Sequence, residues 1–146
     1  MQAERGFSTI KMIFWLAVIG AAGWVAVAVT NVYFIDWKVQ EIFDGAAHNS
    51  GGRTVAEIQA KMPELYRLNS ILPGDLPDEY YDNLLISVTD GKAYISSFYH
   101  VTVWLIGPPE DVNPDEEYDD ADLRGLDKVR AKLRMDFDFA PSSSTP

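Results

Sequence analysis

Between Met12 and Ile35 the chain carries 24 residues without a charge, and Met12 to Val29 (MIFWLAVIGAAGWVAVAV) is almost unbroken apolar sequence. As an α-helix rising about 1.5 Å per residue, that run reaches roughly 36 Å, enough to cross a hydrocarbon core of about 30 Å. A signal peptide has a shorter apolar stretch, about 7 to 15 residues, ending in a small-x-small cleavage site. Here the run is longer and passes into Thr30-Asn31-Val32-Tyr33-Phe34-Ile35-Asp36-Trp37, whose aromatic residues suit the outer interface of an anchored span. Arg5 and Lys11 flank the short side, and positive charge is retained on the cytoplasmic face. The expected organisation is a cytoplasmic leader over 1–11, a transmembrane helix over 12–35, an extracytoplasmic domain over 36–140 and a disordered tail over 141–146.

Charge is distributed unevenly along this plan. Residues 36 to 146 hold 21 of the 22 acids and 10 of the 12 bases, so the domain is strongly acidic. Such a surface repels phosphate backbones, which argues against a nucleic-acid partner. The chain has no cysteine, so disulfides, thiolate nucleophiles and iron–sulfur ligation are excluded.

The helical pattern does not stop at the membrane. Ile35, Val39, Ile42, Phe43, Ala46 and Ala47 follow the spacing of an amphipathic helix, and no proline interrupts residues 7 to 48. Gly51 and Gly52 mark the end of this stem. A second helix is expected from Thr54, with Glu57 completing a capping box, burying Val55, Ile58, Met62, Leu65 and Leu68, with a kink at Pro63. Leu72 to Asn83 (LPGDLPDEYYDN) reads as a loop. Asp90-Gly91 between two β-rich runs predicts a tight hairpin that places Val88 opposite Ala93, Ile86 opposite Ile95 and Leu84 opposite Ser97. The second strand is expected to continue to Leu105, with Tyr99, Val101, Val103 and Leu105 on the core face and Phe98, His100, Thr102 and Trp104 on the other. Alternation over Lys128 to Phe139 supplies a third strand. The fold class is α+β: a long N-terminal helix continuing into a stem, a short second helix and a three-stranded antiparallel meander.

Gly6-Phe7-Ser8-Thr9-Ile10-Lys11, followed at once by the apolar run, resembles the processing site of type IV prepilins and pseudopilins. Those families cut after the glycine and set a long helix, half apolar and half amphipathic, against an antiparallel sheet. The resemblance implies processing between Gly6 and Phe7. The fifth mature residue in those families is usually Glu, which pairs with a neighbouring subunit's amine, and the matching position here is Lys11. In overall layout the chain is similar to a group of uncharacterised proteobacterial inner-membrane proteins whose pilin-like start lacks that Glu. This implies a bacterial inner membrane, with the domain in the periplasm.

Small residues in the span give Ala17/Ala21 and Ala22/Ala26 the small-xxx-small spacing that lets helices pack closely, against another subunit or a second copy. From Pro108 to Leu123 there are eight acids and no base. Asp111, Asn113 and Asp115 have the spacing that begins an EF-hand loop, with Asp122 at its twelfth position, so Ca²⁺ is the one cofactor considered. Glu116 stands where that loop needs glycine, and Asp122 replaces the bidentate Glu. Arg130, Lys132 and Arg134 would line one face of the last strand and could receive the acidic loop. The histidines, His48 and His100, have no nucleophile near them in sequence, and no phosphate-binding loop is present. The expectation is a non-enzymatic, membrane-anchored interaction protein, an accessory or assembly subunit whose partner surface includes Phe98, Trp104 and Arg130. The alternative is a minor pilin or pseudopilin of a filament. Its partners would be membrane lipid and other membrane subunits.

Overall fold

The computed structural model describes residues 8–114 and 116–146. Gly6 and Phe7, the expected processing site, lie outside them, as does Asp115. The chain is α+β: a long apolar N-terminal helix, short helices and antiparallel strands in two small sheets.

Helix α1 is continuous from Thr9 to His48, 40 residues. Its first part could span a membrane, because it is long and apolar enough and none of the residues in its most hydropathic window is buried. Its last part is the stem: Val39, Ile42, Phe43, Ala46 and Ala47 are buried, and Ile35 is half-buried against them. The helix ends where the sequence loses side chains that favour it, at His48 with Asn49 as cap. Helix α2, Val55–Leu68, starts with the full capping box: Thr54 Oγ1 accepts from the Glu57 N–H, and Glu57 accepts from the Thr54 N–H. Ile58 and Met62 are buried, whereas Leu68 is exposed. The helix runs on through Pro63 to Leu68.

The expected loop over Leu72 to Asn83 holds a short helix, α3, Asp78–Asp82. Its reason is Tyr80, which is fully buried, stacks on Phe43 and shares a hydrogen bond between its hydroxyl and that of Tyr66. Prolines and acids fix the ends of that segment, but its buried tyrosine makes it part of the core.

Strands β1 (Leu85–Thr89) and β2 (Lys92–Ser96) form the hairpin in the expected register, with Val88 opposite Ala93 and Ile86 opposite Ile95. Asp90 and Gly91 both have positive φ, 53° and 76°, as a type I′ turn requires. The pairing stops at Leu85 and Ser96, so Leu84 does not face Ser97. At Ser97 the chain leaves this sheet, because the Ser97 hydroxyl donates to the Tyr80 carbonyl and the Ser97 N–H to that of Pro141. Strand β3 (Tyr99–Trp104) begins two residues later and pairs only with β4 (Arg134–Phe139), Tyr99 opposite Phe139 and Val103 opposite Met135. The single meander is thus corrected to two sheets.

Two further expectations are overturned. Lys128 to Leu133 is not strand: Leu126–Lys132 forms helix α4, and only Arg134 onward is extended. The segment also fits a helical spacing, Leu126, Val129 and Leu133, and its Lys and Arg residues favour a helix. The tail is not disordered either. Ser142–Ser144 is strand β5, antiparallel to β2, and closes a β1-β2-β5 sheet against the stem. Thr145 accepts from the Ala93 N–H and donates to the Ala47 carbonyl, while Gln40 holds Ser142 through both its amide atoms. The Thr145 hydroxyl and the Ser142 backbone bridge helix and sheet here, which composition alone does not reveal.

Candidate functional site

The β3–β4 pair forms an arm that runs along α1 toward its apolar end. The Tyr99 hydroxyl donates to Asp36 at 3.0 Å, and the Trp24 indole N–H donates to the Leu105 carbonyl at 3.0 Å. Twelve helical residues cover about 18 Å and six extended residues about 20 Å, so helix and strand travel side by side over this distance. Between these points the Tyr33 ring packs edge-on against Phe137 and Phe139, with centroids 5.6 and 5.5 Å away. Burial raises the Asp36 carboxyl above its ordinary pKa, and the hydrogen bond from Tyr99 opposes that rise.

The face of the arm turned away from α1 carries a ladder of polar pairs. His100 Nδ1 lies 3.1 Å from Asp138 Oδ1, Thr102 Oγ1 donates to Asp136 Oδ1 at 2.7 Å, and the Arg134 guanidinium lies over the Trp104 ring at 5.8 Å. Arg134 also pairs with Asp136 and donates to the Tyr118 hydroxyl. Beside this ladder is an open groove of about 490 Å³, lined by Gly74, Asp75, Pro77, His100, Thr102, Trp104 and Pro114. Phe98, at the top of the arm, is 48% exposed. The structure therefore brings Trp104 and His100 to one groove, with Phe98 two residues before His100.

Arg130 does not belong to that surface. It sits in α4 with its side chain only 16% exposed, paired with Asp127 at 3.1 Å and Glu110 at 3.2 Å. Asp127 is buried, and its Oδ2 accepts the N–H groups of Asp111 and Glu110. These backbone donors, together with Arg130, hold the Asp127 carboxyl below the ordinary aspartate range. The first turn of the acidic segment is therefore pinned to α4 of its own chain. The role of Asp127 has no local sequence signal, because it arises only when Leu126–Lys132 forms a helix beside Glu110 and Asp111.

The residues of the calcium expectation are spread along this segment. The Asp111 N–H is committed to Asp127, and Asp122 closes a 3₁₀ turn, Asp120–Asp122, through its N–H to the Asp119 carbonyl. Among the described residues, no three His, Cys, Asp or Glu side chains gather as a metal site. Ala17, Ala21, Ala22 and Ala26 are all exposed on α1. The Ala17/Ala21 and Ala22/Ala26 rows are five residues apart, which turns them by roughly 140° around the helix. One flat helix–helix contact cannot use both rows. Compared with protein-family models, with curated proteins and with solved structures, the chain matches none.

Proposed function

We propose that the chain is a non-enzymatic, membrane-anchored interaction protein, with its domain in the periplasm of a bacterial inner membrane and a second membrane subunit as its partner. The observation that carries this reading is the pairing of an uncovered apolar helix with an outward groove beside Trp104, His100 and the exposed Phe98. The half-buried Trp104 in the groove and the exposed Phe98 near it favour protein contact, since aromatic residues are enriched in the centres of interfaces. Pro77, which lines the groove, restricts the backbone there.

The pilin-like alternative draws support from one feature of the layout. The stem is covered by the sheets while α1 before Trp24 projects free of them, which suits packing among identical helices. Lys11, in place of the usual Glu, weighs against ordinary polymerisation.

One experiment separates the two readings. A photo-crosslinking residue is placed at Phe98 of the full chain in its native membrane, with and without Trp104→Ala. The first reading predicts one adduct to a different membrane protein, lost in the Trp104→Ala variant. A ladder of adducts between copies of this chain supports the filament reading, and an adduct indifferent to Trp104→Ala contradicts this surface.

A further inference from the structure

We propose that the lower tip of the β3–β4 arm, with Ile106, Leu126, Val129 and Leu133, is immersed in the outer leaflet of the bilayer beside α1. The inference rests on the reading of α1 as a membrane span. With Lys11 at the inner edge, about 20 residues are needed to cross the core, which ends the span near Asn31. Trp24 then lies roughly 10 Å inside the outer edge, and Trp24 is hydrogen-bonded to Leu105 at the tip of the arm. Ending the span below Trp24 instead leaves only residues 12–23, about 18 Å of helix, too short for the core. The helix therefore crosses the membrane only by carrying the tip into it.

The tip presents an apolar stripe at that depth, and the charged groups next to it are paired, Arg130 with Asp127 and Glu110, and Arg134 with Asp136. Ile106, Leu126, Val129 and Leu133 are 45%, 59%, 47% and 39% exposed, and in α4 the last three fall on one stripe at i, i+3 and i+7. Lys128 and Lys132 are exposed beside this stripe, with stems long enough to lift their charges toward the headgroups. At Leu105 and Leu133 the backbone is paired internally: the Leu105 N–H donates to the Leu133 carbonyl, the Leu133 N–H to the Val129 carbonyl, and the Leu105 carbonyl accepts from Trp24. Such pairing is what a backbone entering apolar surroundings requires.

Because the chain has no cysteine, single cysteines at Ile19→Cys, Val129→Cys and Thr89→Cys can each carry an environment-sensitive fluorophore. The full-length variants are placed one per nanodisc of phosphatidylcholine, with or without lipid bearing a nitroxide quencher on its acyl chain. The expected result is blue-shifted emission and lipid quenching at Ile19 and Val129, severalfold stronger than at Thr89, which lies by the hairpin turn at the far end of the domain. Iodide quenching should show the opposite order. Quenching of Ile19 by lipid while Val129 answers only to iodide would overturn the tip and leave the anchor intact. A Val129 probe that neither agent reaches would place protein there instead and also overturn the proposal. Loss of lipid quenching at both Ile19 and Val129 would mean that the anchor reading itself has failed.

Discussion

Phe43→Ala should cost the domain about 3–5 kcal/mol, as burial of a full aromatic side chain implies. Phe43 is fully buried on the stem and stacks on Tyr80 with ring centroids 6.2 Å apart. Tyr80 in turn meets Tyr66 and Tyr99 edge-on, so one ring joins α1 to α2, α3 and the start of the arm. Typical domains have only about 5–15 kcal/mol of total stability, and this loss would consume a large share. The measurement is urea unfolding of the full chain in detergent micelles, with Phe98→Ala as the matched control. Phe98 is the same residue type but 48% exposed, and its truncation should stay within about 1 kcal/mol. Equal losses for the two variants would show that the stem does not organise the core.

Ending the chain after Ala140 should lower stability by about 1–2 kcal/mol, the scale of one or two net hydrogen bonds. The removed segment supplies the Pro141 carbonyl to the Ser97 N–H, both bonds between Ser142 and Gln40, and the contacts of Thr145 with Ala93 and Ala47. It also covers the outer edge of β2, and an uncovered edge invites pairing between chains. The truncated protein should therefore unfold at lower urea and aggregate at concentrations where the full chain does not. An unchanged midpoint would mean that β5 only rests on the sheet.

The parts of this fold that a sequence displays are those whose pattern is local. The uninterrupted run into α1, the Thr54/Glu57 capping box and the Asp90-Gly91 turn each state their geometry within a few residues, and each is found where expected. Burial also alternates through Ala93, Ile95, Ser97 and Tyr99, as the face assignment required. What alternation could not reveal is the change of partner between β2 and β3, because the side-chain faces persist while the Ser97 hydroxyl and N–H bond outside the ladder. The residues from Lys128 to Leu133 satisfy two periods at once, and the helix prevails where Asp127 finds backbone donors and Arg130. A run of serines followed by proline resembles a tail in composition, yet becomes a strand because Gln40, Ala47 and Ala93 offer it partners.

The surface was legible in part. Trp104 and Phe98 were selected because the period-2 pattern turned them away from the core, and the groove lies beside Trp104. Arg130, expected both at that surface and as a receiver of the acidic segment, meets the segment at Glu110, from helix α4 rather than from a strand. The contact of Trp24 with Leu105 joins residues 81 apart in sequence, and no local pattern announces it.

The proposal that α1 anchors the domain to the periplasmic side of a bacterial inner membrane is tested most directly by labelling of single cysteines in whole cells. Ser8→Cys, Ile19→Cys and Thr89→Cys are each exposed to a maleimide that cannot cross the inner membrane, after the outer membrane has been opened. The account predicts that Thr89→Cys labels at once, Ser8→Cys labels only after the inner membrane is permeabilised, and Ile19→Cys resists in both conditions until the membrane is dissolved. Labelling of Ser8→Cys and Thr89→Cys from the same side, or of Ile19→Cys in intact membranes, would contradict it.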